Sequence, residues 1–242
     1  MDATIMKILV TAGPTREPID PVRFISNRSS GKMGYAVAAA GVERGHEVIL
    51  VSGPVALAPP KGVRLVRIET AAGMLSAVRK HLPWCGALVM AAAVADWRPR
   101  QRAPRKLKKH EMAPRLDLEP TTDILVSVAG RKGRRVFVGF AAETHNMLAE
   151  AARKLSEKGL DLIVANDVSR PDSGFEVDTN KVTLLVKNGT RVALPVMSKC
   201  RVARRIIRWI EAEAESRPGK RCGVSSGRRR QPPWAIHPVT AL

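Results

Sequence analysis

The chain has 242 residues, 45% of them hydrophobic and only 4% aromatic, and carries a formal net charge of +19. That size and apolar content suit one large α/β domain, or one domain with an appendage, whose core is built from Val, Leu, Ile and Ala. Three scattered cysteines, five scattered histidines and no long apolar run exclude a disulfide scaffold, a zinc module and a membrane-spanning protein, and a reducing cytosol is the expected compartment.

In chain order, Lys7–Thr11 is an apolar run stopped by Ala-Gly-Pro-Thr and reads as a buried strand, so close to Met1 that no signal peptide is expected. A polar loop extends from there to about Ser30. Lys32–Arg44 has Ala and Val at helical spacing and ends at Gly45, which reads as a helix with a glycine stop. Glu47–Ser52 and Val63–Ile68 read as strands, Ala72–His81 as helix and Ala87–Ala92 as a fourth strand. The alternation predicts right-handed crossovers and a parallel sheet.

Asp96 to about Pro120 is long, basic and punctuated by Pro, and reads as a functional flap or a disordered loop. Alternation resumes with helix Thr122–Ala129, strand Val136–Phe140, helix Asn146–Lys158 and strand Leu160–Ala165. Lys181–Val186 and Arg191–Leu194 flank Asn188-Gly189, a strong hairpin signal. A helix from Ser198 to about Glu215 closes the domain, and residues 216–242 read as a basic, disordered tail.

The expected fold is therefore a Rossmann-like three-layer α/β domain over residues 1–215, with a long flap loop and a C-terminal β-hairpin. In such sheets ligands bind at the carboxyl ends of the strands. The first end, T-A-G-P-T-R-E-P-I-D-P-V-R-F-I-S-N-R-S-S-G-K-M-G (residues 11–34), is neither a dinucleotide fingerprint nor a Walker A loop. It has the makings of an anion site, with Ser29, Ser30 and Gly31 before a helix N-terminus and Arg16, Arg23, Arg28 and Lys32 nearby. The plainer reading leaves Ser30 as a helix cap and the arginines as a solvated face.

Four more blocks lie downstream. M-A-A-A-V-A-D-W-R-P (90–99) places small residues and Asp96 at a strand exit, suited to a ligand or merely to packing. R-K-L-K-K (105–109) is a cluster that could neutralise phosphates or simply be solvated. V-G-F-A-A-E-T (138–144) offers Phe140 for stacking or for the core. D-L-I-V-A-N-D (161–167) ends a strand in two polar side chains.

Those five blocks, in that order and over about Lys7–Glu215, closely resemble the phosphopantothenoylcysteine synthetase family, also called phosphopantothenate–cysteine ligase. In many bacteria this is the ligase half of a bifunctional coenzyme A biosynthetic protein. The resemblance implies two steps. The carboxylate of 4′-phosphopantothenate attacks the α-phosphate of CTP, with Mg2+ present, giving an acyl-cytidylate and pyrophosphate; the amine of cysteine then displaces CMP. A carboxylate is inert to amines until it gains such a leaving group.

By motif, the resemblance makes Asn27 the residue that handles the acyl-cytidylate through hydrogen bonds from its amide, Arg23 a supporting catalytic or acyl-site contact and Lys106 the flap lysine that contacts the nucleotide phosphates and serves activation. Asn27, Ser29, Ser30 and Gly31 fall on the phosphopantothenate side. Met90, Ala91, Ala92, Asp96, Lys106, Thr122, Asp123, Ile124, Leu125, Phe140, Lys154 and Lys158 fall on the nucleotide side. Lys154 and Lys158 are one helical turn apart and are expected to face one ligand. The resemblance assigns no magnesium ligand and no flavin.

This chain departs from the family in having Thr121-Thr122 where Asn-Pro is common before Asp123-Ile124, which removes a pre-set φ, supplies Thr hydroxyls as caps and bears on CTP against ATP. No decarboxylase half precedes Met1, so a separate decarboxylase is expected to take the product. The family also implies a homodimer, with Lys181–Leu194 as a pairing element.

Two other readings compete. A nicotinamide-dependent oxidoreductase lacks here its glycine fingerprint and the acid at the end of the second strand, where Ser52-Gly53 stands. A nucleic-acid-binding protein is suggested by the charge, which is concentrated in the seven Lys/Arg of Arg98–Lys109, the six beyond Ser216 and five along the last helix. It lacks a reader motif and aromatic platforms. No specific nucleic acid and no membrane are expected as partners.

Overall fold

The computed structural model describes residues 4–109, 115–143, 145–167, 174 and 176–217. In chain order its elements are β1 (Lys7–Ala12), β2 (Arg16–Pro18), β3 (Phe24–Ser26), α1 (Lys32–Glu43), β4 (Glu47–Ser52), β5 (Arg64–Arg67) and α2 (Ala71–His81). The middle holds β6 (Ala87–Met90), β7 (Trp97–Pro99), β8 (Leu118–Pro120), α3 (Ile124–Ala129), β9 (Val136–Glu143) and α4 (Met147–Glu157). The end holds β10 (Leu162–Asp167), β11 (Thr179–Asn180), β12 (Val182–Val186), β13 (Arg191–Ala193), β14 (Met197–Ser198) and α5 (Lys199–Ser216). The tail expected beyond 216 lies, from residue 218 onward, outside the described residues.

Eight strands form one sheet in the order β13-β12-β10-β9-β6-β1-β4-β5. From β10 to β5 every pairing is parallel, while β12 and β13 add an antiparallel edge. The parallel strands therefore take the doubly wound order, with chain progress reversing direction between β1 and β6. The β12–β13 turn is the expected one: Gly189 has φ 88°, and the side chain of Asn188 accepts from the Thr190 N–H at 3.0 Å.

Alternate residues of the strands feed two cores, one per face. Ile8, Val10 and Ala12 pack with α1 and α5, whereas Leu9, Ile49 and Phe137 pack with α2, α3 and α4. This gives the expected three layers. Helix α1 lies close on the sheet because Gly34 has no side chain; a Cβ there would lie 2.5 Å from the Ala12 Cβ and 2.8 Å from the Thr11 carbonyl. Ion pairs tie α1 and the residue after it to α5, Glu43 to Arg204 and Arg44 to Glu211, and His46 Nε2 lies within hydrogen-bond distance of Glu211. Cys85 is buried and Cys200 exposed, and both are free thiols. Burial pushes the Cys85 thiol up to about 11, so it is not a nucleophile at neutral pH.

Two stretches read as loops hold short strands. Within residues 12–30, β2 pairs antiparallel with β3, and the Arg16 guanidinium sits 4.5 Å from the Phe24 ring centroid. The Asp96–Pro120 stretch leaves and returns along the β7–β8 ladder, so it is an arm on a paired stem rather than one open loop. A three-residue strand cannot show a period, and its partner is remote in sequence, so no local signal marks it.

Candidate active site at the strand switch

The crevice beyond the carboxyl ends of β1 and β6 is where the strand order reverses. Its floor is stitched from the chain leaving those strands. The Ala93 N–H donates to the Gly13 carbonyl at 2.9 Å, the Ala95 N–H to Thr15 Oγ1 at 2.9 Å and the Ala92 N–H to Thr11 Oγ1 at 3.2 Å. Ser26 Oγ donates to the Thr15 carbonyl at 2.8 Å, which brings the β2–β3 hairpin onto the same floor.

Asn27, just past β3, is held there too. Its Nδ2 donates to the carbonyls of Ala93 at 3.3 Å and Val94 at 2.9 Å. Both amide N–H groups are thus engaged by backbone, and the side chain offers the site its carbonyl oxygen, an acceptor.

A cavity of about 430 Å3 opens beside Asn27. It is bounded by the Met90–Ala92 segment, Asp96, the Thr122–Leu125 segment, Phe140 and Lys158. Of the side chains expected on the nucleotide side, all but Lys106 and Lys154 lie on this wall. The stem of the arm fixes the opposite rim: the Thr121 N–H donates to the Asp96 carbonyl at 2.8 Å and Thr121 Oγ1 to the Ala95 carbonyl at 2.6 Å.

A smaller cavity of about 60 Å3 adjoins it, sharing Ala91, Phe140 and Ala142. Ser29, Ser30 and Gly31 line it, together with Asn166, Asn180 and Lys199. Its wall is the N-terminus of α1, where free N–H groups face outward. Gly31, at φ 76°, is the N-cap residue, and among the described residues no side-chain cap bond is made to the helix. The reading of Ser30 as a cap is therefore corrected. A left-handed glycine at that position turns the chain into the helix without a hydroxyl acceptor of its own.

Two further expectations change. The cap of α3 is Asp123, whose side chain accepts from the Val126 N–H at 3.0 Å, and not a Thr hydroxyl. Lys154 and Lys158 do lie on one helical side, but they serve different carboxylates: Lys154 pairs with Glu143 at 2.5 Å and Lys158 with Asp123 at 2.8 Å. Only Lys158 reaches the larger cavity. Burial works against the Asp123 charge, but bonds from Lys158 and the Val126 N–H outweigh it and lower its pKa. Lys106 is exposed on the arm, away from the cavity wall.

The sequence reading missed Lys199, which begins α5 and is 5% exposed. Its Nζ donates to the carbonyls of Gly174 at 2.9 Å and Val177 at 2.5 Å. Burial, reinforced by the Lys32 charge and partly offset by Asp178, lowers its pKa to about 8. The folded state then releases this proton before the unfolded state does, so the unfolded chain holds more protons between about pH 8 and the ordinary lysine value of 10.5. Stability of the native chain, relative to a Lys199→Met variant, is expected to rise across that window by roughly 2 kcal/mol. Parallel denaturant titrations at pH 8 and pH 10 measure it, and an unchanged difference refutes it.

Among the described residues no group of three or more His, Cys, Asp or Glu side chains could hold a metal ion, and no helix is long and apolar enough to cross a membrane.

A profile of the DNA/pantothenate metabolism flavoprotein C-terminal domain family matches residues 4–214. The coenzyme A biosynthesis bifunctional protein CoaBC of Bacillus subtilis (strain 168) is 46% identical over 206 residues, covering 85% of this chain and 51% of that protein. The protein of the same name from Escherichia coli (strain K12) is 47% identical over 204 residues, covering 82% and 50%. The chain thus spans about half the length of the curated relatives it matches. A crystal structure of the C-terminal domain of a coenzyme A biosynthesis bifunctional protein CoaBC aligns with a TM-score of 0.77 at 44% identity, over 90% of this chain and 100% of that one. Profile, sequence and fold agree: the chain belongs to the DNA/pantothenate metabolism flavoprotein C-terminal domain family.

Proposed function

We propose that this chain is a ligase that activates the carboxylate of 4′-phosphopantothenate with CTP and couples it to the amine of cysteine, in coenzyme A biosynthesis. The observation that carries the reading is the pair of adjoining cavities at the strand switch. One is of nucleotide size and has Asn27 on its wall, the other lies against the N-terminus of α1, and Phe140 lines both. Two reactants held side by side in a fixed frame is what a condensation needs, since positioning removes much of the entropic barrier.

In the first step a carboxylate oxygen of the acid bonds to the α-phosphorus of CTP and the bond to pyrophosphate breaks. In the second the cysteine amine bonds to the acyl carbon, CMP leaves with the bonding electrons and the amine loses a proton. On the nucleotide side, Met90–Ala92 and Phe140 bound the base and ribose, while Lys158 and the arm lysine Lys106 supply positive charge to the phosphates. Arg23 supports the acyl side. The first-turn N–H groups of α1, beside Ser29 and Ser30, receive an anionic group of the acid.

Asp96 is the side chain suited to a magnesium ion arriving with the triphosphate, because Mg2+ takes one or two carboxylates and completes its shell from phosphate and water. The reaction is redox-neutral, so no flavin is assigned to this chain. The homodimer and the cytosolic location belong to the same proposal. Exposed Val22, Phe24, Trp97 and Leu118 on the two short hairpins, and the free edge of β13, are surfaces available for pairing.

Pyrophosphate release should require a nucleotide and phosphopantothenate together, and CTP should exceed ATP. CMP release should in turn need cysteine. No pyrophosphate with any nucleotide would sink the ligase reading, and equal rates with ATP would sink the CTP assignment.

A further inference from the structure

The turn joining β2 to β3 and the arm beyond β7 meet at one carboxylate. Asp20 is 2% exposed. Its Oδ1 accepts from the backbone N–H groups of Val22 and Arg23, both at 2.8 Å. Its Oδ2 accepts from Arg23 Nε at 2.9 Å and Nη2 at 2.5 Å, and from the backbone N–H of Leu107 at 3.2 Å. Arg23 Nη2 also donates to the Leu107 carbonyl at 2.7 Å, and the Ala103 N–H donates to the Ile19 carbonyl at 2.9 Å. Both backbone groups of Leu107 are thus held by a turn more than 80 residues earlier in the chain.

A turn does not need all of this. An Asp that organises its own turn requires only the N–H groups just after it. The guanidinium and the Leu107 N–H are a second set of bonds, and they reach across to the arm. Burial opposes the charge on Asp20, but the Arg23 side chain and the three backbone donors outweigh it and hold the carboxyl well below its ordinary range. The contact is therefore an ionic one at any working pH, and charge-assisted bonds of this kind are the stronger ones.

Leu107 directly follows Lys106. We propose that Asp20 is a positioning residue of the ligase reaction, locking Arg23 and the arm backbone at Leu107 into one frame so that Lys106 leaves the arm from a fixed stem. This rests on the role given above to Lys106. A lysine on a loose arm must lose backbone as well as side-chain freedom each time it meets a phosphate; a fixed stem leaves only the side chain to order.

The test combines two readouts on Asp20→Asn. The amide oxygen can still serve the turn, but the amide N–H groups then face the guanidinium and the Leu107 N–H. Pyrophosphate formation should slow by about 30- to 100-fold, with the nucleotide KM changed by less than about threefold. Adding Lys106→Ala to Asp20→Asn should cost less than about threefold more, because the two act through one contact. By hydrogen exchange, the amides of Leu107 and Ala103 should exchange at least about tenfold faster, with Leu9 and Val10 in β1 unchanged.

Unaltered exchange at Leu107 overturns the proposal, as do losses from the two substitutions that simply multiply. A native rate in Lys106→Ala alone overturns the reading of Lys106 and with it this role for Asp20. Multiplying losses in a slow Lys106→Ala enzyme overturn the role of Asp20 only. If Leu9 and Val10 lose protection, Asp20→Glu replaces Asp20→Asn; it keeps the charge but lengthens the side chain, and the same readouts decide.

Discussion

Asn27→Asp is expected to lower kcat for phosphopantothenoylcysteine formation by about 100-fold or more while leaving CTP affinity within about threefold. The substitution is close to isosteric, so the effect comes from chemistry. The native amide donates to two carbonyls, those of Ala93 and Val94, and this fixes where its own oxygen points. A carboxylate would set negative oxygen against those carbonyl oxygens with no hydrogen to share, and the side chain must turn away. It would also bring a negative charge beside the proposed reaction, in which a carboxylate attacks a phosphate. The contacts proposed for the nucleotide, on Met90–Ala92, Phe140 and Lys158, are other residues of the same cavity lining, which the substitution does not alter. Calorimetric CTP titration and steady-state kinetics on the same sample separate the two effects. Unchanged turnover removes Asn27 from the chemistry, and a parallel loss of CTP affinity places it in nucleotide binding instead.

The large elements were legible because the forces that make them are written locally. A short run rich in consecutive Val, Ile, Leu or Ala reads as a buried strand, and β1, β4, β6, β9 and β10 all hold such a run. The parallel pairing was legible too, since strands that alternate with helices are joined by crossovers rather than hairpins. The site was less legible, for a physical reason. Much of it is backbone: the carbonyls that orient Asn27 belong to Ala93 and Val94, residues whose side chains say nothing of hydrogen bonding. The family resemblance pointed to Asn27, but composition and spacing alone could not.

Side chains whose partners are remote were misread in a consistent direction. Lys154 and Lys158 have the spacing to act together, yet Glu143 at a strand end and Asp123 at a helix cap draw them apart. Asp20 was given no role from the sequence, and only the fold shows that its second oxygen reaches Leu107. Ser30 looks like a cap, but the backbone at Gly31 takes the left-handed conformation, and the helix begins without one. For the two lysines the spacing was sound and tertiary contacts decided the outcome, whereas for Ser30 the local backbone did. The positive charge is sorted in the same way. Among the described residues, Lys132, Arg153 and Arg204 are paired with acids away from the crevice, whereas Lys158 stands at it and Lys106 on the exposed arm.

Gly53→Ala is expected to cost about 3 kcal/mol or more, a fall in Tm of roughly 6–12 °C for a domain of this size. Gly53 comes directly after β4, and its N–H donates to the Ala12 carbonyl at 3.0 Å, so the chain after β4 runs hard against the chain after β1. A Cβ on Gly53 would lie 1.7 Å from the Pro14 carbonyl oxygen. That neighbour is backbone and cannot rotate aside, so the 13–15 segment itself must move. Thr15, one residue on, bonds to Ala93 and Ala95 and so supports the floor on which Asn27 rests. Activity measured well below the lowered Tm should therefore fall as well, which separates a displaced floor from simple unfolding. Gly130→Ala is the control: it has φ −64° and nothing within 4 Å of an added Cβ, so it should be neutral or stabilising by about 0.4–1 kcal/mol. Thermal unfolding of the two variants beside the native chain decides the matter; a Gly53→Ala protein with native Tm and native rate would show that the close approach of β1 and β4 exits does not hold the site floor.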